Sequence, residues 1–197
     1  MNKRNKSYHH GDLKQALLDE ALRHIRAEGI ESLSLRACSK AVQVSPGAAF
    51  RHFKDKRELA TAIAAHGYRL MCAAILEYQS KAEDTEMAQF RAVGEGYVAF
   101  ALNEPNLFHL MFAPGQLDSS DEHLKAQAAK IPMFSREGSG PLGVGDMLVW
   151  GVVHGLSELA IQGHFKDSLP GDFDGKMEKL TQVMAAVGPS LRALSQK

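Results

Sequence analysis

Apolar residues in this chain recur at intervals of three and four almost throughout, and no run alternates them with polar residues between turn signals. A 3.6-residue period places i, i+3 and i+4 on one helical face, whereas a half-buried strand needs a period of two. Ala, Leu, Glu, Lys and Met, which lose little on entering a helix, fill the periodic segments. The fold class expected is therefore all-α. At 197 residues and 45% hydrophobic content, the chain can bury a sizeable core.

Caps and breakers divide this helical pattern. Residues 1–7 are polar and basic and are expected to form an arm. Leu13, Leu17, Ala21 and Ile25 predict a first helix over 12–28, stopped at Gly29. Ser34 is a good N-cap for a short helix over 35–42, and Ser45-Pro46 gives an N-cap followed by proline at the first helical position of another over 46–53. Asp55 caps a long fourth helix through Leu59, Ile63, Leu70 and Ala74 to about residue 80. Further helices are predicted over 87–102, 106–111 and 121–130, before a Gly/Pro/Ser-rich loop. The segment 144–163 is apolar almost all round, so burial on more than one side is expected. From Asp172 onwards, Phe173, Met177, Leu180, Met184, Val187, Leu191 and Leu194 alternate spacings of four and three, a heptad seam. Gly188-Pro189 is expected to kink or break that last helix.

The brief third helix carries the most chemistry. Ala49 and Phe53 share the face that must pack inward, which leaves Gly47 and Arg51 opposite, with Ala48, Phe50 and His52 on the flanks. Small residues let a helix backbone sink into the DNA major groove, and an arginine can grip guanine O6 and N7 with two hydrogen bonds. Lys56, in the first turn of the fourth helix, sits beside unpaired backbone N–H groups where a phosphate would fit. Charge agrees with this placement. The formal net charge is zero, yet residues 1–60 hold 12 Lys and Arg against 7 Asp and Glu, leaving 11 against 16 in the remainder. A basic head on an acidic body suits a DNA-binding module joined to a sensing or assembly module.

Taken together, Tyr8-His9-His10-Gly11-Asp12-Leu13, Leu33-Ser34-Leu35-Arg36, Val44-Ser45, Phe50-Arg51-His52-Phe53 and Asp55-Lys56 resemble the helix-turn-helix of TetR family regulators. Trp150-Gly151-Val152-Val153-His154-Gly155 and Asn103-Glu104-Pro105 with Leu107-Phe108-His109 are similar to the WHG subgroup of their ligand domains. The resemblance implies a helix-turn-helix DNA-binding domain over 1–57, joined by a long helix to a helical-bundle sensing and dimerisation domain over 58–197. It implies phosphate contacts from His52 and Lys56, with Ser34, Arg36, Ser45, Pro46, Gly47, Ala48 and Arg51 at the groove or its edges. Two departures stand out. Gln43 occupies the turn where the family has glycine, so the turn must form without a free φ. Phe50 stands where the family has tyrosine, and is expected to offer an apolar contact in place of a hydroxyl.

A homodimer on a near-palindromic double-stranded operator follows from the resemblance, with Leu148, Val152, Leu156, Leu159, Phe173, Met177, Leu180, Met184 and Val187 expected at the dimer interface. The heptad seam supports this independently. An unknown small-molecule effector is expected in a pocket lined by Tyr97, Phe100, His109, Phe112, Trp150 and His154. A DNA-binding dimer without an effector is the alternative. No cofactor, metal site or catalytic residue is expected: HExxH, GxSxG and phosphate-binding glycine loops are missing, and His109, His123, His154 and His164 fall in separate segments. The chain is accordingly read as a regulator and not an enzyme. Cys38 and Cys72, far apart and outside any CxxC pair, are expected to be small hydrophobes. The most apolar window, 147–156, is too short to span a bilayer, and a cytoplasmic location is expected.

Overall fold

Side-chain caps set most of the helix starts. A computed structural model describes residues 10–113, 115–132 and 143–195. The expected arm at 1–7 lies outside the described residues, as do most of the loop before Gly143 and the side chains of Leu191 and Leu194. Among the described residues there are nine α-helices, one 3-10 turn and no strand: α1 His10–Glu28, α2 Leu35–Ala41, α3 Pro46–Phe50, α4 Lys56–Lys81, α5 Glu86–Asn103, α6 Pro105–Met111, α7 Glu122–Ala128, α8 Val144–Ile161 and α9 Phe173–Ser195. The oxygens of Ser34, Ser45, Asp55, Thr85 and Asp121 accept from backbone N–H groups in the first turns of α2, α3, α4, α5 and α7. Each satisfies a donor that the helix start leaves without an intrahelical partner.

The long α4 is the spine, packed along α5 and flanked by α1, α6 and α7, while α8 and α9 close over α5. Missing side chains permit the closest approaches. A Cβ at Gly96 would lie 2.5 Å from the Ile75 Cα, and one at Gly67 would lie 2.6 Å from the Met111 sulfur. The core runs without a break from Leu17 and Ile25 of α1 through Phe53, Ile63 and Met71 to Tyr97, Phe108 and Leu180. Cys38 is fully buried, and burial pushes its thiol up to about 11. Cys72 is half-buried.

Three expectations need correction. The third helix stops at Phe50, three residues early, because the N–H groups of His52 and Phe53 both turn back to the Ala49 carbonyl ahead of the Asp55 cap. The last helix continues through Pro189 to Ser195 and does not end there. The largest correction concerns the seam. Met177, Leu180 and Met184 are buried within the subunit and so cannot serve a partner. Heptad spacing marks an apolar stripe on α9, and the elements that receive it are α5 and α8 of the same chain.

The outer side of α8 and α9 is also apolar. Leu148, Leu159, Phe173, Val183 and Val187 are exposed there, with Val152 and Leu156 half-buried. By length and composition alone, α4 and α8 could each cross a membrane, which extends the short apolar window read from the sequence. Half of the α4 stretch is buried inside the subunit against 22% of the α8 stretch, so the unpartnered apolar surface belongs to α8.

Candidate nucleic-acid interface and effector domain

Two short helices, α2 and α3, meet across a turn whose geometry can be followed bond by bond. The N–H of Gln43 donates to the Lys40 carbonyl at 3.1 Å, and the N–H of Val44 donates to the Ser39 carbonyl at 2.9 Å. This is the Schellman pairing that closes a helix through one left-handed residue. Gln43 takes that role with φ 58°, the single non-glycine at positive φ among the described residues. Ser34 and Ser45 then hold the two helix starts, with Oγ accepting from Ala37 N at 3.4 Å and from Ala48 N at 3.2 Å.

Packing orients α3. Ala49 and Phe53 are buried against the α1–α2–α4 core, and Lys14 places its ammonium 5.7 Å from the Phe53 ring centroid. The opposite side is open: Arg36, Ser45, Pro46, Gly47, Phe50 and Arg51 are exposed, while Ser34, Ala48, His52 and Lys56 are half-buried. Phe50 keeps 43% of its surface accessible, a high value for an aromatic ring. A Cβ on Gly47 would meet nothing within 4 Å, so the helix start is free of neighbours. All ten residues expected at a DNA interface thus retain accessible surface around the α2–α3 unit and the first turn of α4.

The start of α4 has its own arrangement. Glu58 donates its N–H to Asp55 Oδ1 at 2.8 Å and accepts from the Lys54 N–H at 2.7 Å, a reciprocal pair around the cap. Just beyond, Arg57 donates to the Leu117 carbonyl at 2.9 Å, and Thr61 Oγ1 accepts from the Asp118 N–H at 2.9 Å. The loop after α6 is therefore fastened to the first turns of α4. A second link joins α1 to α6: Arg26 grips Glu104 with two hydrogen bonds of 2.8 and 2.5 Å, and Asn106 Nδ2 donates to the Arg26 carbonyl at 3.0 Å. None of these links was read from the sequence, because each joins residues about 60 to 80 positions apart with no local signature.

In the C-terminal body, four of the six residues expected to line a pocket form a packed aromatic group. Trp150 Nε1 donates to the Tyr97 hydroxyl at 3.4 Å, and that oxygen lies 2.9 Å from His154 Nδ1. An indole N–H can only donate, so the hydroxyl accepts from it and keeps both a hydrogen and a second lone pair with which to meet Nδ1. The Phe112 and His154 rings meet at 4.7 Å. Phe108, outside the six expected residues, stacks on His154 at 5.2 Å and meets Tyr97 edge-on. Its place four residues before Phe112 was the available signal. Burial raises the Tyr97 hydroxyl well above the usual phenol range, and burial also lowers His154, with Glu158 opposing weakly. Phe100 is buried in the core, and His109 sits outside with Nε2 3.3 Å from Glu158.

The open space of this body lies elsewhere. A cavity of about 230 Å3 lies between α5, α8 and α9, and none of the six expected residues lines it. Val152, Met184 and Val187, expected at a dimer interface, are among the residues that line this cavity. The aromatic residues attract one another and fill their own space, so the room is left where Gly94 withholds a side chain.

An exposed basic helix-turn-helix on an all-helical body defines the class, that of helical two-part regulators. Residues 17–63 match the model of the bacterial regulatory proteins of the tetR family, and residues 90–184 match that of the tetracyclin repressor-like C-terminal domain. The chain belongs to the TetR family. It is 34% identical over 82 residues to the HTH-type transcriptional regulator AcrR of Shigella flexneri; that segment is 42% of this chain and 38% of the regulator's length. It resembles a solved protein with unknown function from Rhodococcus sp. RHA1, with 26% identity, TM-score 0.74, and coverage of 97% of this chain and 100% of that one. The fold is shared with a possible TetR family transcriptional regulator from Streptomyces coelicolor A3(2), at 16% identity and TM-score 0.55, covering 90% of this chain and 88% of that one.

Proposed function

We propose that the chain is a DNA-binding transcriptional repressor, not an enzyme, which acts in the cytoplasm as a homodimer and leaves a near-palindromic operator when a small-molecule effector binds. The observation that carries this reading is the open side of α3. Exposed Phe50 and Arg51 there end a helix whose start is unobstructed, on an element whose other side is locked into the core. Arg51 would read guanine, Phe50 would meet a thymine methyl or sugar, and His52 and Lys56 would hold phosphates. The exposed apolar side of α8 and α9 would receive the same surface of a second copy about a two-fold axis. Gly151 and Gly155, which have nothing within 4 Å of a built Cβ, would let the two α8 helices approach closely. Trp150, His154 and Gly155 support placing the body in the WHG subgroup.

Effector binding would act through the links described above. Arg57–Leu117 and Arg26–Glu104 tie the head to the segments on either side of α6, and α6 reaches the His154 cluster through Phe108. An effector shifts operator binding only if it favours one arrangement of these contacts over the other. The alternative, a DNA-binding dimer without an effector, is favoured by one observation: the aromatic group fills the expected pocket with its own rings.

Selection from random-sequence duplexes tests the reading. The purified protein should enrich an inverted repeat whose half-site centres lie about 10 base pairs, or a multiple of that, apart. Enrichment of no sequence, or of an unrepeated one, would overturn it.

A further inference from the structure

The cavity between α5, α8 and α9 is lined mainly by apolar residues. Its floor is Gly94, Val153 and Met184, all buried; a Cβ on Gly94 would come within 3.2 Å of the Met184 sulfur and 3.6 Å of Val153. Val149 of α8 and Ala185 of α9 both line the space and add to its apolar surface. Among the described residues, the ionisable ones in the lining are Arg91 and Asp146, of opposite sign. Arg91 already pairs with Glu95, Nε to Oε1 at 3.2 Å, and Asp146 accepts from the Gly143 N–H at 2.9 Å.

From this arrangement we infer that the cavity binds a neutral, apolar, one- or two-ring molecule. The inference rests on the effector reading above and names the chemistry of its site. Size follows from the volume: an apolar cavity of about 150 Å3 holds benzene, so 230 Å3 scales to about nine non-hydrogen atoms. Neutrality follows from the lining. The two charges carry opposite signs and already have partners, so neither ion type is attracted. A charge moved onto the Gly94–Val153–Met184 floor would lose its hydration without a counter-ion.

Indole, a neutral two-ring molecule of the required size, is a direct probe, with indole-5-carboxylate as its charged counterpart. Titration calorimetry of the full chain should give saturable indole binding with a Kd below about 1 mM, and at least about tenfold weaker binding of the carboxylate. Val149→Trp fills the space from α8, and Ala185→Trp fills it from the exposed α9 side. Each variant, with helical content unchanged by circular dichroism, should weaken indole at least about tenfold. Absence of indole binding to the wild type, equal binding of the carboxylate, or indole binding unchanged in a folded variant would overturn the inference. Operator binding measured on the same samples separates the two readings. Loss of indole binding with operator binding intact removes this site alone, whereas indole that binds without releasing the operator keeps the site and removes effector control.

Discussion

Replacing Gln43 by glycine should stabilise the protein, and the size of the effect can be worked from its backbone. At φ 58° the Gln43 Cβ crowds its own carbonyl oxygen, a conformation that costs an L-residue about 1–2 kcal/mol. Glycine removes that crowding but brings greater chain entropy to the unfolded state, worth about 0.5–1 kcal/mol in the opposite direction. The net gain is about 0.5–1 kcal/mol. Gln43 is exposed, and both hydrogen bonds of the turn come from main-chain N–H groups, so the substitution removes no buried contact. For a chain of this length, the Tm should rise by about 1–4 °C, read by circular dichroism at fixed protomer concentration because dimerisation would make Tm concentration-dependent. Gln43→Ala keeps the Cβ and is the control, expected within about 0.5 kcal/mol of wild type. If glycine were no more stable than alanine at this position, the turn would not be strained and the geometry given to the α2–α3 joint would be wrong.

Other perturbations follow from packing and protonation. Gly96→Ala drives a Cβ to 2.5 Å from the Ile75 Cα, a backbone atom that cannot swing aside, and should cost about 1–3 kcal/mol in denaturant unfolding; a neutral result would refute the close α4–α5 approach. Burial lowers the His154 pKa below its unfolded value near 6.5, so as pH falls the unfolded chain takes up the proton first and stability declines until the folded pKa is passed. His154→Asn, which keeps a side-chain hydrogen-bonding group for the Tyr97 hydroxyl, should lose less stability than wild type between pH 7.5 and 5.5; parallel losses would show that His154 does not titrate in that window.

Local chemistry made the head legible. Ser34, Ser45 and Asp55 cap helices because of what stands within three residues of them, and Gln43 occupies the left-handed position that the turn spacing requires. Periodicity was less informative about partners. The α9 stripe was visible as an apolar face, but spacing cannot say whether α5 of the same subunit or a second copy receives it, and the subunit takes Met177, Leu180 and Met184. The cavity was not legible for a related reason: aromatic residues mark where rings gather, while empty space depends on how three distant helices meet. Gly94 and Gly96, two glycines inside the helical pattern of α5, were the sequence signal for close approach there.

Fluorescence anisotropy with a selected operator duplex, run across a salt series on wild type, Arg51→Ala and Lys56→Ala, measures the role of the exposed α3 surface most directly. Arg51→Ala should lose about 1–3 kcal/mol and relax base preference at one position in each half-site, while Lys56→Ala should weaken all sequences alike and lower the salt slope by about one. Unaltered affinity and unaltered base preference in Arg51→Ala would contradict the assignment of that surface to the major groove.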